Sequence, residues 1–250
     1  MPGFSLCLLG TFRAHLNDNR AAHLETNKAR ALLAYLAVED GPHTRLQLAG
    51  LLWPEWPEAV ARTYLRQALL NLRQVLEPTP SAPPYLISNR HTIQFNRESD
   101  YWLDVATLVD TLSSLPHRTQ TDGAPETAER LGEAVALYRG DFMEGFYLDG
   151  CPAFEEWQLI TREQLHEQVM AALATLQLRY AEQGRWPELA GAARRQLAIV
   201  LDDIVFSAPS LIEPIPNGNA QITGSFPGDE AERLAQVLRS GFLPAPVRIV

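Results

Sequence analysis

The chain has two cysteines in 250 residues, Cys7 and Cys151, far apart and without a C-x-x-C neighbour. That spacing argues against a disulfide framework or a thiolate metal site and leaves two reduced, buried or half-buried thiols. No run approaches the roughly 18 apolar residues of a membrane span, and the N-terminus lacks a charged-then-apolar leader, so the cytoplasm is the expected address. The histidines His15, His23, His43, His91, His117 and His166 show no metal spacing. His166-Glu167 has no second histidine four residues on, which a zinc helix requires. There is no G-x-S-x-G, no phosphate loop and no G-x-G-x-x-G. Glu155-Glu156 and Asp202-Asp203 are adjacent pairs, which a helix or strand points apart. They read as solvated charges rather than an acid and a base. No catalysis, cofactor or metal is expected.

What is present is the composition of a folded protein, 46% hydrophobic and 20% charged. The length suits one large domain or two to three small ones. The net charge of -9 is unevenly spread. Residues 1–97 carry ten Lys and Arg against seven Asp and Glu; residues 98–200 carry eight against seventeen, and residues 201–250 three against six. A mildly basic head on an acidic body is compatible with a DNA-reading module joined to a protein-contacting one.

The head centres on Pro57 to Glu77, PEAVARTYLRQALLNLRQVLE. On a helical wheel Ala61, Leu65, Ala68, Leu69, Leu72, Val75 and Leu76 share an arc about 120° wide. Arg62, Arg66 and Arg73 form a stripe beside it, and Thr63, Gln67, Asn71 and Gln74 cover the far side. An ordinary solvated surface helix and a helix lying in a DNA major groove both fit this pattern. In the second case arginines meet phosphates and amides reach base edges. The surroundings bear on the choice. FSLCLLGTFRAHL (4–16) holds two short strands, with Phe4, Leu6 and Leu8 on one face and then Phe12, Ala14 and Leu16, followed by a turn at Asn17-Asp18-Asn19. A helix over 28–38 is capped by Thr26 or Asn27 and ended by Asp40-Gly41-Pro42. Thr44 with Gln47 is a capping box that opens a second helix, with Leu46, Leu48, Leu51 and Leu52 as its apolar face and Trp53-Pro54 as its stop. A proline-rich loop, 78–84, leads to a hairpin of strands 85–87 and 92–95. The second and third helices match a helix-turn-helix, with the hairpin placed as its wing.

Beyond residue 100 the pattern changes. A helix is expected near 105–115, a polar linker over 116–125, and helices over 129–138, 152–184 (with Gly184 as C-cap) and 185–200, with an apolar loop over 142–152. The turns between them suggest tetratricopeptide-type helical hairpins, cut short after one to one and a half repeats. The tryptophans 53, 56, 102, 157 and 186 read as core or domain-contact anchors. Residues 201–250 read as β-β-α-β, with strands at 204–207, 220–226 and 247–250 and a helix at 229–240.

Residues 6–97 resemble the OmpR/PhoB-type winged helix as used in the SARP regulators of bacteria. The carriers are LLGTFRAHL (8–16), KARALLAYLAV (28–38), LLWPEWPEAVARTYLRQALLNLRQVL (51–76) and the hairpin. Residues 101–200 resemble the bacterial transcriptional activator domain of the same proteins, through WLDV (102–105), ALYRGDFMEGF (136–146), AFEEW (153–157) and AARRQLAI (192–199). The resemblance implies sequence-specific promoter binding and transcription activation, with double-stranded DNA and RNA polymerase as partners and self-association as a further expectation. By matching positions it places Arg62, Thr63, Arg66, Gln67 and Arg73 on the recognition helix and Arg90 in the wing. Tyr64 and Asn71 depart from the family pattern, so no target sequence carries over. The expected site is therefore Thr44, at a phosphate-facing helix start, with Arg62, Thr63, Arg66, Gln67, Asn71, Arg73, Gln74 and Arg90. LAIVLDDIVFSAPSLIEPI and NGNAQITGSFPGDEAERLAQVLRSGFLPAPVRIV resemble the extracytoplasmic domain of SecD, the export-machinery subunit. QLAIVLD (196–202) suits both resemblances. The expected organisation is mostly α with small β elements: a winged helix-turn-helix over 1–97, a truncated helical activator domain over 98–200 and a SecD-like α+β fragment over 201–250. The alternatives are an interaction module that does not bind DNA, or a chimeric product whose tail derives from export machinery.

Overall fold

The computed structural model describes residues 3–16, 20–76, 83–114, 125–185, 199–201, 204–207, 220–222 and 247–249. The chain divides into two compact units, 1–122 with 129–169, and 123–128 with 170–250.

The first unit begins with an antiparallel meander of β1 (Phe4–Cys7), β2 (Arg13–Leu16) and β3 (Arg20–Ala21), and β7 (Tyr101–Leu103) pairs parallel to the free edge of β1. Phe4, Leu6, Leu8, Ala14 and Leu16 are buried, as two-residue alternation requires. The expected turn at 17–19 lies outside the described residues. Helix α1 (Asn27–Val38) is capped by Thr26, whose Oγ1 accepts from the Ala29 amide at 3.1 Å. Its Leu32, Leu33 and Leu36 are fully buried.

Thr44 and Gln47 form both halves of the capping box at the start of α2 (Arg45–Leu52). Leu48, Ala49 and Leu52 face the core. Leu46, expected beside them, is 52% exposed. Residues two apart lie on opposite sides of a helix, and the packing selects Leu48 with Leu52. Trp56, expected as a core or domain-contact anchor, is 49% exposed and meets Tyr64 edge-on with ring centroids 5.5 Å apart.

Helix α3 (Glu58–Leu76) buries Ala61, Leu65, Ala68, Leu69, Leu72 and Leu76. Val75, at the edge of the arc, is only half-buried. Glu77 and the proline-rich loop to residue 82 lie outside the described residues. The wing is the hairpin β5 (Leu86–Ser88) and β6 (Thr92–Phe95), joined by β4 (His43–Thr44) in the order β4-β6-β5. Asn89 closes its turn by accepting from the amides of His91 and Thr92, both at 2.7 Å.

Helices α4 (Asp104–Ser114), α5 (Pro125–Leu137) and α6 (Pro152–Glu182) follow. The expected linker falls largely outside the described residues. The loop after α5 is stitched to the first sheet: the Gly10 amide donates to Asp141 O at 2.9 Å, the Met143 amide to Leu8 O at 2.7 Å and the Glu144 amide to Gly10 O at 3.0 Å. Gly10 sits at φ +100, a conformation that needs glycine.

Helix α6 begins in the first unit and ends in the second. It terminates as expected at Gly184, φ +67, where the Arg185 amide donates to Tyr180 O at 2.9 Å. In the second unit Ala172, Leu173, Leu176 and Tyr180 are buried along α6. The helix expected over 185–200 does not extend to its end. Ile199 and Val200 belong to β8 (Ile199–Leu201), antiparallel to β9 (Ile204–Ser207). The run Ile-Val-Leu favours a strand once a facing strand is available. Strand β10 (Ala220–Ile222) pairs parallel to β11 (Val247–Ile249), and the remainder of the strands expected there, 223–226 and 250, lies outside the described residues. Helix 229–240 and Trp186 lie outside the described residues. The architecture is mostly helical with small sheets.

Candidate nucleic-acid interface

Three elements converge on one groove. Arg62, Arg66 and Arg73 recur four and seven residues apart on α3, so they form a stripe beside its buried arc. Arg45 is the first residue of α2, and Arg90 lies in the wing turn. These five arginines, with Leu65, Leu69 and Leu70, line a groove of about 560 Å³. Arg62 reaches Glu58 at 2.6 Å, an exposed pair one turn apart that stabilises little. Arg73 is half-buried and donates through Nη2 to Ser88 Oγ, which ties α3 to β5. Arg45 donates through Nε and Nη2 to Asn89 O at 3.2 and 3.1 Å, which ties α2 to the wing turn. Burial, and then the like charges of Arg73 and Arg66, push the Arg45 guanidinium down from its ordinary value. Among the described residues, Arg62 alone of the five has a carboxylate partner. The result is a concave surface of one sign on a chain of net negative charge.

Of the outward polar residues expected on α3, Thr63, Gln67 and Gln74 are exposed together. The Thr63 hydroxyl donates to Ala59 O at 3.0 Å, so its oxygen is left as an acceptor. Asn71 is a correction. It is half-buried, and its Oδ1 is closed off from solvent without a hydrogen-bond partner among the described residues. At 100° per residue it falls near the Val75 edge of the arc, away from Thr63 and Gln74. Thr44 is exposed, but its oxygen accepts from the Gln47 amide at 3.2 Å and its hydroxyl donates to Gln47 Oε1 at 2.8 Å. Its role here is to hold the start of α2, and Arg45 beside it is the residue that enters the groove. Arg45 and Leu70 were not among the expected site residues. The signal for Arg45 was its place next to a capping box, and for Leu70 an apolar side chain standing off the apolar arc.

The helical body attaches elsewhere on the head. Asp104 is 3% exposed and accepts from the amides of Leu8 (2.9 Å to each oxygen), Leu9 (2.9 Å) and Val105 (2.8 Å). Burial pushes this carboxyl up, and the backbone donors pull it back in part. Trp157 Nε1 donates to Glu39 Oε1 at 2.7 Å, and Cys151 Sγ to Leu52 O at 3.1 Å. These contacts use the residues just after β1, the C-cap of α1 and the end of α2. The arginine stripe of α3 is not among them.

Residues 103–200 match the bacterial transcriptional activator domain. The activator domain is a regulatory family rather than an enzymatic one. A second family, described as SecDF, P1 head subdomain, matches residues 158–245. Protein translocase subunit SecD of Syntrophobacter fumaroxidans is 60% identical over 57 residues, covering 23% of this chain and 11% of that protein. SecD of Calditerrivibrio nitroreducens is 59% identical over 56 residues, 22% of this chain and 11% of its own. SecD of Rhodothermus marinus is 47% identical over 66 residues, 26% and 11% respectively. The chain thus spans about a tenth of the length of these relatives. A solved structure, Mycobacterium tuberculosis EmbR in complex with low affinity phosphopeptide, aligns with 97% of this chain and 67% of its own at 19% identity and a TM-score of 0.49. The two resemblances drawn from the sequence, to regulators of the SARP type and to SecD, stand on the two family matches. Those matches overlap over 158–200. Residue 158 is no boundary in the fold: α6 runs unbroken from Pro152, and Gln158 donates to Phe146 O at 3.1 Å inside the first unit.

Proposed function

We propose that this chain is a sequence-specific, double-stranded-DNA-binding transcription activator whose C-terminal segment derives from a SecD-like export subunit. The observation that carries the DNA reading is the groove in which Arg45, Arg62, Arg66, Arg73 and Arg90 meet from α2, α3 and the wing with one carboxylate partner between them. Helix α3 enters the major groove. Arg62, Arg66 and Arg90 neutralise phosphates, while Arg45 and Arg73 brace the wing and add charge. Thr63, Gln67 and Gln74 present hydrogen-bonding groups to base edges. The winged helix comprises 1–97, the activator domain 98–200 and the SecD-like fragment 201–250. The activator domain contacts RNA polymerase or a second copy of the chain, and the work is done where the DNA is, in the cytoplasm.

Genomic-fragment selection with the purified chain tests this reading, since it both detects binding and returns the site. With three arginines at phosphates the affinity falls with salt at a log–log slope of about -2.7. Arg66→Ala weakens binding and flattens that slope by about one. Absence of binding at low salt favours the interaction-module reading instead. For the tail, identity of 60% over 57 residues supports descent from a SecD-type gene, joined through QLAIVLD (196–202). A continuous read of genomic DNA across codons 190–210 is the expected result. A break there would make the join an assembly error.

A further inference from the structure

Leu70 lies in the middle of the open face of α3 and is 56% exposed. At 100° per residue it falls between Arg66 on one side and Thr63 on the other. A single exposed leucine needs no explanation on an ordinary surface. This one lines the groove with Arg62, Arg66 and Arg73, so whatever covers it must carry negative charge around an apolar spot. Duplex DNA has that combination. Its phosphates flank the major groove, and the C5-methyl of thymine is an apolar group on the base edges exposed there. We infer that Leu70 is a specificity-determining residue that packs on a thymine methyl, with the neighbouring arginines on the flanking phosphates. The inference rests on the DNA reading above and adds a base preference to it. Burial of one methyl against an aliphatic side chain corresponds to about a fourfold change in affinity.

The test uses the full chain and a duplex recovered by genomic-fragment selection, with each thymine replaced in turn by uracil, which removes only the methyl group. Wild type is expected to bind one uracil-substituted duplex about fourfold more weakly, and Leu70→Ala to bind that duplex and its thymine parent equally. Retained DNA binding with no uracil effect, or with the same loss in Leu70→Ala, overturns the role of Leu70 and leaves the DNA reading standing. Failure of wild type to retain any duplex at low salt overturns both. Because Leu70 is solvent-facing, the far-ultraviolet circular dichroism of Leu70→Ala should match wild type, which separates a lost contact from a lost fold.

Discussion

Trp157 Nε1 donates a 2.7 Å hydrogen bond to Glu39 Oε1, joining the first turns of α6 to the C-cap of α1. The indole also packs edge-on against Tyr35, with ring centroids 5.0 Å apart, and lies 5.6 Å from Phe142 and 5.2 Å from Phe154. The head and the start of the activator domain are therefore one packed body rather than two beads on a linker. Trp157→Phe keeps the ring stack and removes the donor, with an expected loss of about 1–2 kcal/mol in urea unfolding. Trp157→Ala removes the ring as well and should lose about 3–5 kcal/mol. Equal losses from the two variants would mean that the ring contacts contribute nothing.

Asp104 joins the same two parts by another route. Its carboxylate satisfies the amides of Leu8 and Leu9, where the first sheet gives way to the loop that carries Gly10. Asp104→Ala leaves those donors buried and unpaired. At about 1–3 kcal/mol for each orphaned donor, a loss of about 2–6 kcal/mol is expected, with less for Asp104→Asn, which keeps one acceptor oxygen. Chemical denaturation of both variants at neutral pH checks the order.

How much of this was legible in the sequence divides by the range of the interaction. The capping box at Thr44 and Gln47, the buried arc of α3 and the Gly184 stop of α6 depend on residues within about one helical turn, and each was read correctly. Leu46 and Asn71 lie elsewhere than expected because the edge of a helix face is settled by what packs against it, not by the wheel alone. The attachment of Asp104 to Leu8 spans 96 residues and has no local signal. The arginine stripe was visible as spacing, but the groove was not. Arg45 reaches it only because the turn at Asn89 folds back onto α2.

Tyr138 gives a pH prediction. Its hydroxyl donates to Asp141 at 2.8 Å and lies 3.5 Å from His166 Nδ1. Burial first, and then the bond to Asp141 and its charge, push this phenol well above its ordinary value of 10. The folded state therefore holds the proton more tightly than the unfolded chain. The contribution to stability is fully present below pH 10 and is lost as pH rises through the raised value. Tyr138→Phe should lose about 1 kcal/mol at neutral pH and show a shallower fall in stability above pH 10. A fall as steep as in wild type would place the titrating group elsewhere.

Removing residues 186–250 should leave the unfolding of the first unit nearly unchanged. The described strands beyond 198 form two two-stranded sheets, β8 with β9 and β10 with β11. A two-stranded sheet is marginal in water without a layer to cover it. The Trp157, Asp104 and Cys151 contacts all lie within the first unit. A chain ending at Arg185 is expected to unfold within about 1 kcal/mol of the full chain in urea and to bind DNA with the same salt slope. A larger loss would show that the SecD-like segment supports the fold of the first unit.

The last prediction has opposite signs for folding and for binding. Arg45, Arg66 and Arg73 crowd one groove, and their mutual repulsion contributes to the lowered Arg45 value. Such a cluster is unfavourable in the free protein and is relieved by an anion. Arg66→Ala should therefore raise the stability of the free chain, by up to about 0.5 kcal/mol, because it removes one like charge from an exposed position. The same variant should weaken DNA binding and reduce the salt slope by about one. If sulfate binds the arginine-lined groove of the folded chain, it should raise the Tm of wild type more than chloride at equal ionic strength. That difference should shrink in Arg66→Ala. A variant that is both less stable and weaker in binding would mean that Arg66 is a structural residue. A stability gain paired with a binding loss is the signature of a side chain held in place for a negatively charged partner.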